Sequence, residues 1–324
     1  MYINQAYKWK HDSWRYLVGT LIIFLLGWQL IGAIPLIIIS YFQTENLAEF
    51  MTASETAFAS LYPPKSNLYL FLMMTTFIGG FVALWFTIKF IHQQTFTQLT
   101  TSRKKVDWRR IFFGFILIAT FTIVTTGIDF YYNPENYEVQ FNLVPFAIMF
   151  VIGVIFIPIQ TSFEEYFFRG YLMQGIGVVA RNKWVPLLIT SVIFGGLHFF
   201  NPEVEKLGNI AMVYYIGTGL FLGIITLMDE GMELALGFHA GTNLIIALLV
   251  TSDWTVFQTN SILLDLSEPA AGFEIIMPVF IIYPIFLAIM AWKYKWTNWK
   301  EKLLGKVVFP REEVSIESNT FEKW

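Results

Sequence analysis

Residues 145–180, PFAIMFVIGVIFIPIQTSFEEYFFRGYLMQGIGVVA, are predominantly apolar, and Glu164, Glu165 and Arg169 are the ionisable side chains that interrupt them. About 20 apolar residues in a helix cross a hydrocarbon core of about 30 Å. The stretch therefore reads as a membrane-spanning helix, long enough to bend at Pro158, that carries ionisable groups inside it. Comparable runs at 17–42, 68–91, 111–130, 184–200, 209–228, 234–251 and 275–296 bring the candidate spans to eight. Composition agrees. The 324 residues are 56% hydrophobic and 14% charged, with mean hydropathy +0.56, against about 45–50% apolar and about 25% charged in soluble domains. The expected fold is all-α, a polytopic membrane protein with about eight transmembrane helices, and not a soluble globule.

The run 17–42 exceeds a signal-peptide core and lacks a small-residue cleavage site, so it is expected to remain as an anchor. With no cysteine in the chain, disulfides and thiolate metal sites are ruled out. Basic residues set the expected orientation. Lys8, Lys10 and Arg15 precede the first span, Arg103 to Arg110 separate the second and third, Arg181 and Lys183 the fourth and fifth, and Lys293 to Lys302 follow the eighth. The alternate connections 43–67, 131–142, 201–208 and 252–274 carry only Lys65 and Lys206. Both termini are thus expected in the cytoplasm. The expected organisation is one transmembrane domain over 1–302, with its chemistry in about 145–251, and a short cytoplasmic tail at 303–324. Nothing in 43–67, the longest external connection, suggests a separate domain.

Ionisable groups in a membrane helix cost about 2.5–3.5 kcal/mol on insertion scales, so each needs a reason. Glu165 and Arg169 are four apart and face each other on a helix. Glu164 lies about 100° around the helix without a local counter-charge, suited to act as general base or acid. Glu-Glu-x-x-x-Arg is expected by chance roughly 0.02 times in such a chain; the bland alternative is a structural ion pair with an accidental neighbour. Phe194-Gly195-Gly196-Leu197-His198 is weaker alone, since Phe-x-x-x-His arises by chance roughly 0.4 times. Geometry strengthens it. If the fourth and fifth spans are antiparallel across 181–183, Glu164 and His198 stand about 25 and 22 Å from that turn, at one level. His239 and Asn243 share a helical face in the seventh span, suited either to an interhelical polar clamp or to donating to an oxyanion.

The ordered set Glu-Glu-x-x-x-Arg, Phe-x-x-x-His and His-x-x-x-Asn on separate membrane helices resembles the CAAX-protease and bacteriocin-processing family, also called the ABI family. The motifs cover roughly residues 145–251, with no departure at any motif position. The resemblance implies an eight-helix core and a water held between Glu164, the catalytic carboxylate, and His198. It assigns His239 and Asn243 to the oxyanion and completes the first motif with Glu165 and Arg169. It leaves the substrate open.

The expected activity is an intramembrane endopeptidase without a cofactor, zinc being the minority alternative because two His and two Glu could hold it. The expected partners are a peptide or membrane-anchored protein substrate and the surrounding lipids, with no nucleic acid. The expected location is a bacterial plasma membrane. The cavity is expected to open to the cytoplasm, from the heights above and from the polar stretch Asp229-Glu230-Gly231. Two rivals stand beside this reading: a non-catalytic regulatory or immunity protein of the same fold, and an ion-coupled transporter, against which the lack of symmetry between halves argues.

Overall fold

The structure, a computed structural model, describes residues 1–268 and 272–309. Among these, six helices are long and apolar enough to cross a membrane: α1 (Ser13–Tyr41), α2 (Asn67–His92), α3 (Trp108–Tyr132), α4 (Leu143–Ala180), α6 (Ala211–Asp229) and α8 (Phe273–Tyr294). Two shorter apolar helices, α5 (Trp184–Gly196) and α7 (Glu233–Leu249), complete the bundle. These are the all-α elements expected of a polytopic membrane protein. Outward faces remain apolar and exposed, as with Phe112, Ile116, Ile123 and Ile128 on α3, which is what lipid contact requires.

Of four apolar clusters among the described residues, two organise the interior around α4 and α7. One joins α1, α2 and α4 through Ile23, Met74, Phe77, Phe163 and Phe167. The other joins α3, α6, α7 and α8 through Ile118, Phe221, Phe238 and Phe286. α4 and α7 pack on each other, and α7 takes part in both clusters, through Leu244 in the first and Phe238 in the second. Glycines set the closest approach: a Cβ on Gly237 of α7 would fall 1.9 Å from the Ile111 carbonyl oxygen of α3, so these two helices touch backbone to backbone.

Opposite ends of the bundle differ. At one end the connection between α2 and α3, the turn 230–232 and the C-terminal helix Trp299–Leu304 form a polar layer. Arg103 pairs with Asp229 at 3.0 Å and with Glu233 at 3.2 Å, and Arg110 also pairs with Asp229. A short helix, Ile3–Lys8, packs against the end of α4, and the Tyr2 hydroxyl donates to the Leu99 carbonyl oxygen at 2.6 Å. Of the stretch expected as a tail, Val307 is buried and its amide donates to the Arg181 carbonyl oxygen at 3.0 Å; 310–324 lie outside the described residues. At the other end, 43–67 holds a helix, Leu47–Ser54. A small sheet in strand order β1-β3-β2 ties three connections together. β1 (Tyr137–Val139) runs antiparallel to β3 (Leu263–Asp265), and β2 (Val250–Thr251) runs parallel to β3.

Candidate active site

α4 carries the first motif. Its regular α-helical part runs from Leu143 through Pro158 to Glu165, and Tyr166–Leu172 continue as a π-helical stretch. Such stretches are rare and frequent at functional sites, since the extra residue re-aims the side chains around it. Glu164 and Glu165 occupy the last α-helical positions before this change.

Arg169 and Glu165 are both wholly buried, and Nη1 of Arg169 donates to Oε1 of Glu165 at 2.9 Å. Nη2 of the same guanidinium donates to the Gly219 carbonyl oxygen on α6 at 3.2 Å. Its face lies 4.3 Å from the centre of the Phe194 ring on α5, a cation–π contact that is strong when desolvated. Arg169 thus binds α4 to α5 and α6. Glu165 in turn binds α4 to α7, because Nδ1 of His239 lies 2.8 Å from its Oε1. That oxygen accepts from both neighbours, so Nδ1 of His239 carries the hydrogen and Nε2 is left for the cavity. Oε2 of Glu165 and Nε of Arg169 are buried without a partner.

Nε2 of His239 lies 3.5 Å from Oε2 of Glu164 and 3.5 Å from Nδ2 of Asn243. Nδ2 of Asn243 also donates to Oε1 of Gln160 at 3.3 Å, and Gln160 lines the cavity one turn before Glu164 on the same helix. His198 approaches from α5. Helix α5 ends at Gly196, and in the following turn Nδ1 of His198 donates to the Phe194 carbonyl oxygen at 2.8 Å. Its ring stacks on Tyr215 of α6 with centroids 4.4 Å apart. Nε2 of His198 is thereby left as its free nitrogen.

Glu164, His198, His239 and Asn243 line one cavity of about 450 Å³, with Gln160 beside them. Glu165 and Arg169 stand behind its wall. Phe168, Phe194, Leu222 and Phe238 form its apolar floor. Among the described residues, no group of three or more His, Cys, Asp or Glu is arranged to hold a metal ion.

The direction of the cavity departs from expectation. Its far wall is made by Asn201, Glu203, Ser252, Thr255, Val256 and Asp265. These belong to the connections poor in Lys and Arg, and none of the basic connections lines it. The cavity therefore runs toward the end of the bundle opposite the helices Ile3–Lys8 and Trp299–Leu304, and not toward Asp229-Glu230-Gly231. The expectation failed because it measured heights from the turn 181–183 as though the membrane began there. That turn belongs to the polar layer, where Lys183 donates to the Glu301 carbonyl oxygen at 2.7 Å, and Asp229 is consumed by Arg103 and Arg110.

Three residues of the cavity escaped the sequence reading. Gln160 had a signal, a polar residue one turn before Glu164 on the same helix face. Tyr215 and Glu203 had none, because they reach the site only through the packing of α6 and of the connection 201–208.

A model of the family described as type II CAAX prenyl endopeptidase Rce1-like matches residues 143–245. This is the segment from α4 to α7 that carries the cavity residues Glu164, His198, His239 and Asn243. An uncharacterized protein of Bacillus subtilis (strain 168), YyaK, is 31% identical over 245 residues, 75% of this chain and 81% of that protein. No solved structure matches the chain.

Proposed function

We propose that this chain, which belongs to the Rce1-like family of type II CAAX prenyl endopeptidases, is an intramembrane endopeptidase that hydrolyses a peptide bond with water activated by Glu164. One observation carries the reading: Glu164 of α4, His198 of the turn after α5, and His239 and Asn243 of α7 face one cavity, and a buried Arg169–Glu165 pair fixes the ring of His239.

Glu164 takes a proton from water held between it and His198, and the hydroxide attacks the scissile carbonyl carbon. Oε2 of Glu164, 3.5 Å from Nε2 of His239, is placed to pass that proton on; such contacts tighten when substrate closes the site. The ring of His239 then carries hydrogens on both nitrogens. Nδ1 stays bound to Glu165 while Nε2, with Nδ2 of Asn243, donates to the tetrahedral oxyanion. Collapse of that intermediate breaks the C–N bond, and the proton returns from His239 to the departing amine. Burial strengthens each of these interactions by excluding water. The enzyme is metal-independent in this scheme. Its two sides follow the Lys and Arg distribution, with the termini in the cytoplasm of a bacterial cell and the cavity opening outward.

The test is cleavage of a membrane-reconstituted peptide substrate by purified protein. Glu164→Gln keeps the size of the side chain but cannot accept the proton, so turnover should fall by about 10²–10⁴ with folding intact. Asn243→Ala should lower kcat by about 10²–10³ while binding changes little. A strong chelator should leave the wild type unaffected. Cleavage by Glu164→Gln at the wild-type rate removes Glu164 as base; loss of activity on chelation with recovery on zinc makes His198 and His239 metal ligands; binding without cleavage by all proteins makes the chain a regulatory member of the family.

A further inference from the structure

The mouth of the cavity is chemically one-sided. The four connections at that end of the bundle contain eleven Asp and Glu residues against Lys65 and Lys206. Among the described residues no Lys or Arg lines the cavity, whereas Glu203 and Asp265 do. Deeper in, Trp28, Leu70, Met73, Phe77 and Ile246 supply apolar wall.

Glu203 stands out among the residues at the mouth. It lies in the short helix Pro202–Leu207, and its Oε1 accepts from the Val256 amide at 2.8 Å, which joins that helix to the loop 252–259. Its Oε2 is buried and has no partner. A carboxylate oxygen withdrawn from water without a donor is unfavourable by itself, and burial raises the Glu203 carboxyl above the usual carboxylate range. A bound cation would satisfy that oxygen. Neither fixation of the loop, which Oε1 already achieves, nor the chemistry at Glu164 explains it. The field of the surrounding acidic connections acts in the same sense, drawing cations toward the mouth.

We infer that substrate enters between the helix Pro202–Leu207 and the loop 252–259, and that Glu203 is a specificity-determining residue that binds a positively charged group of an amphiphilic peptide whose apolar segment fills the cavity. This rests on the endopeptidase reading for the bond-breaking step only. The substrate class is a cationic amphiphilic peptide, or the cationic juxtamembrane end of an anchored one, presented at the face carrying the acidic connections.

The experiment uses full-length protein in nanodiscs of zwitterionic lipid, so that the lipid itself does not select charge. The probe is a fluorescent synthetic peptide with a short apolar stretch flanked by lysines, compared with the same peptide bearing glutamates. Binding is read by anisotropy and cleavage by mass spectrometry. Wild type should bind the lysine peptide about tenfold or more tightly than the glutamate peptide, as expected of a charge-assisted contact. Glu203→Gln, which retains an acceptor for the Val256 amide, should lose that preference, and Glu203→Lys should reverse it. Because the chain has no cysteine, Thr255→Cys offers a single attachment point, and a bulky membrane-impermeant maleimide there should abolish binding of the lysine peptide. Equal binding of the two peptides by wild type, binding of neither, an unchanged preference in Glu203→Gln, or full binding by the labelled Thr255→Cys protein overturns the proposal. Wild-type selectivity needs no variant to fold. The two readings fail separately: charge-selective binding without cleavage removes the endopeptidase, while cleavage without charge selectivity removes the role of Glu203.

Discussion

Arg169 has no exposed surface and holds Glu165, the Gly219 carbonyl and the Phe194 ring at once. Removing one partner of a buried ion pair leaves the other uncompensated and costs about 3–5 kcal/mol. Arg169→Ala is therefore expected to unfold at clearly lower temperature, and to lose activity in whatever fraction remains folded, because Glu165 no longer holds Nδ1 of His239 in place. Arg169→Lys keeps the charge but not the planar fork that reaches Glu165 and Gly219 together. It should recover part of the stability and less of the turnover. Thermal unfolding in detergent, followed by fluorescence, reads the first effect; an Arg169→Ala protein as heat-resistant as wild type would mean that the pair does not support the fold. At this scale the sequence was informative where partners lie one helical turn apart, as Glu165 and Arg169 do. The contact of Glu165 with His239, 74 residues away, was invisible, because spacing along one helix says nothing about which face another helix presents to it.

α7 carries His239 and Asn243, and its position depends on how closely it meets α3. A methyl group at Gly237 would lie 1.9 Å from the Ile111 carbonyl oxygen, which is backbone and cannot rotate away. Gly237→Ala should therefore destabilise by about 1–3 kcal/mol, the usual range for overpacking, and should lower kcat because His239 is two residues on. Gly127 of α3 has open space where its Cβ would be, so Gly127→Ala should be neutral or stabilising by up to about 1 kcal/mol. Comparing the two variants in unfolding and turnover separates close approach from a general intolerance of alanine; equal effects would remove the close-approach argument. The helices were legible because each apolar run is long and bounded by charge, and 68–91 differs from Asn67–His92 by one residue at each end. Three features were not legible: the buried helix Ile3–Lys8, the three-stranded sheet and the direction of the cavity. Each depends on contacts between separate segments, as between β1 and β3 or between the helix Ile3–Lys8 and the end of α4, for which periodicity holds no record.

At the scale of the whole molecule, the orientation proposed from the basic connections has a direct test in a chain free of cysteine. A membrane-impermeant maleimide added to intact cells should label Glu49→Cys, and should label Lys104→Cys only after permeabilisation. The opposite pattern would turn the cavity toward the cytoplasm and with it the side from which substrate comes. The helices also differ in length in a way that bears on the surroundings. α5, which leads into His198, has 13 residues, about 20 Å at 1.5 Å per residue, and Leu188, Ile189, Val192 and Ile193 on it are exposed. α7 is short as well, but it is enclosed by its neighbours, so of the two shorter apolar helices among the described residues α5 confronts the lipid with a deficit. Acyl chains beside α5 must therefore shorten or tilt, and this hydrophobic mismatch makes bilayer thickness a variable of the site itself, at a modest free-energy cost for each ångström. Turnover in liposomes should fall steadily as phosphatidylcholine acyl chains are lengthened, with the turn at His198 the first part of the site to lose its place, so that a membrane could set the pace of this protein through its lipids alone.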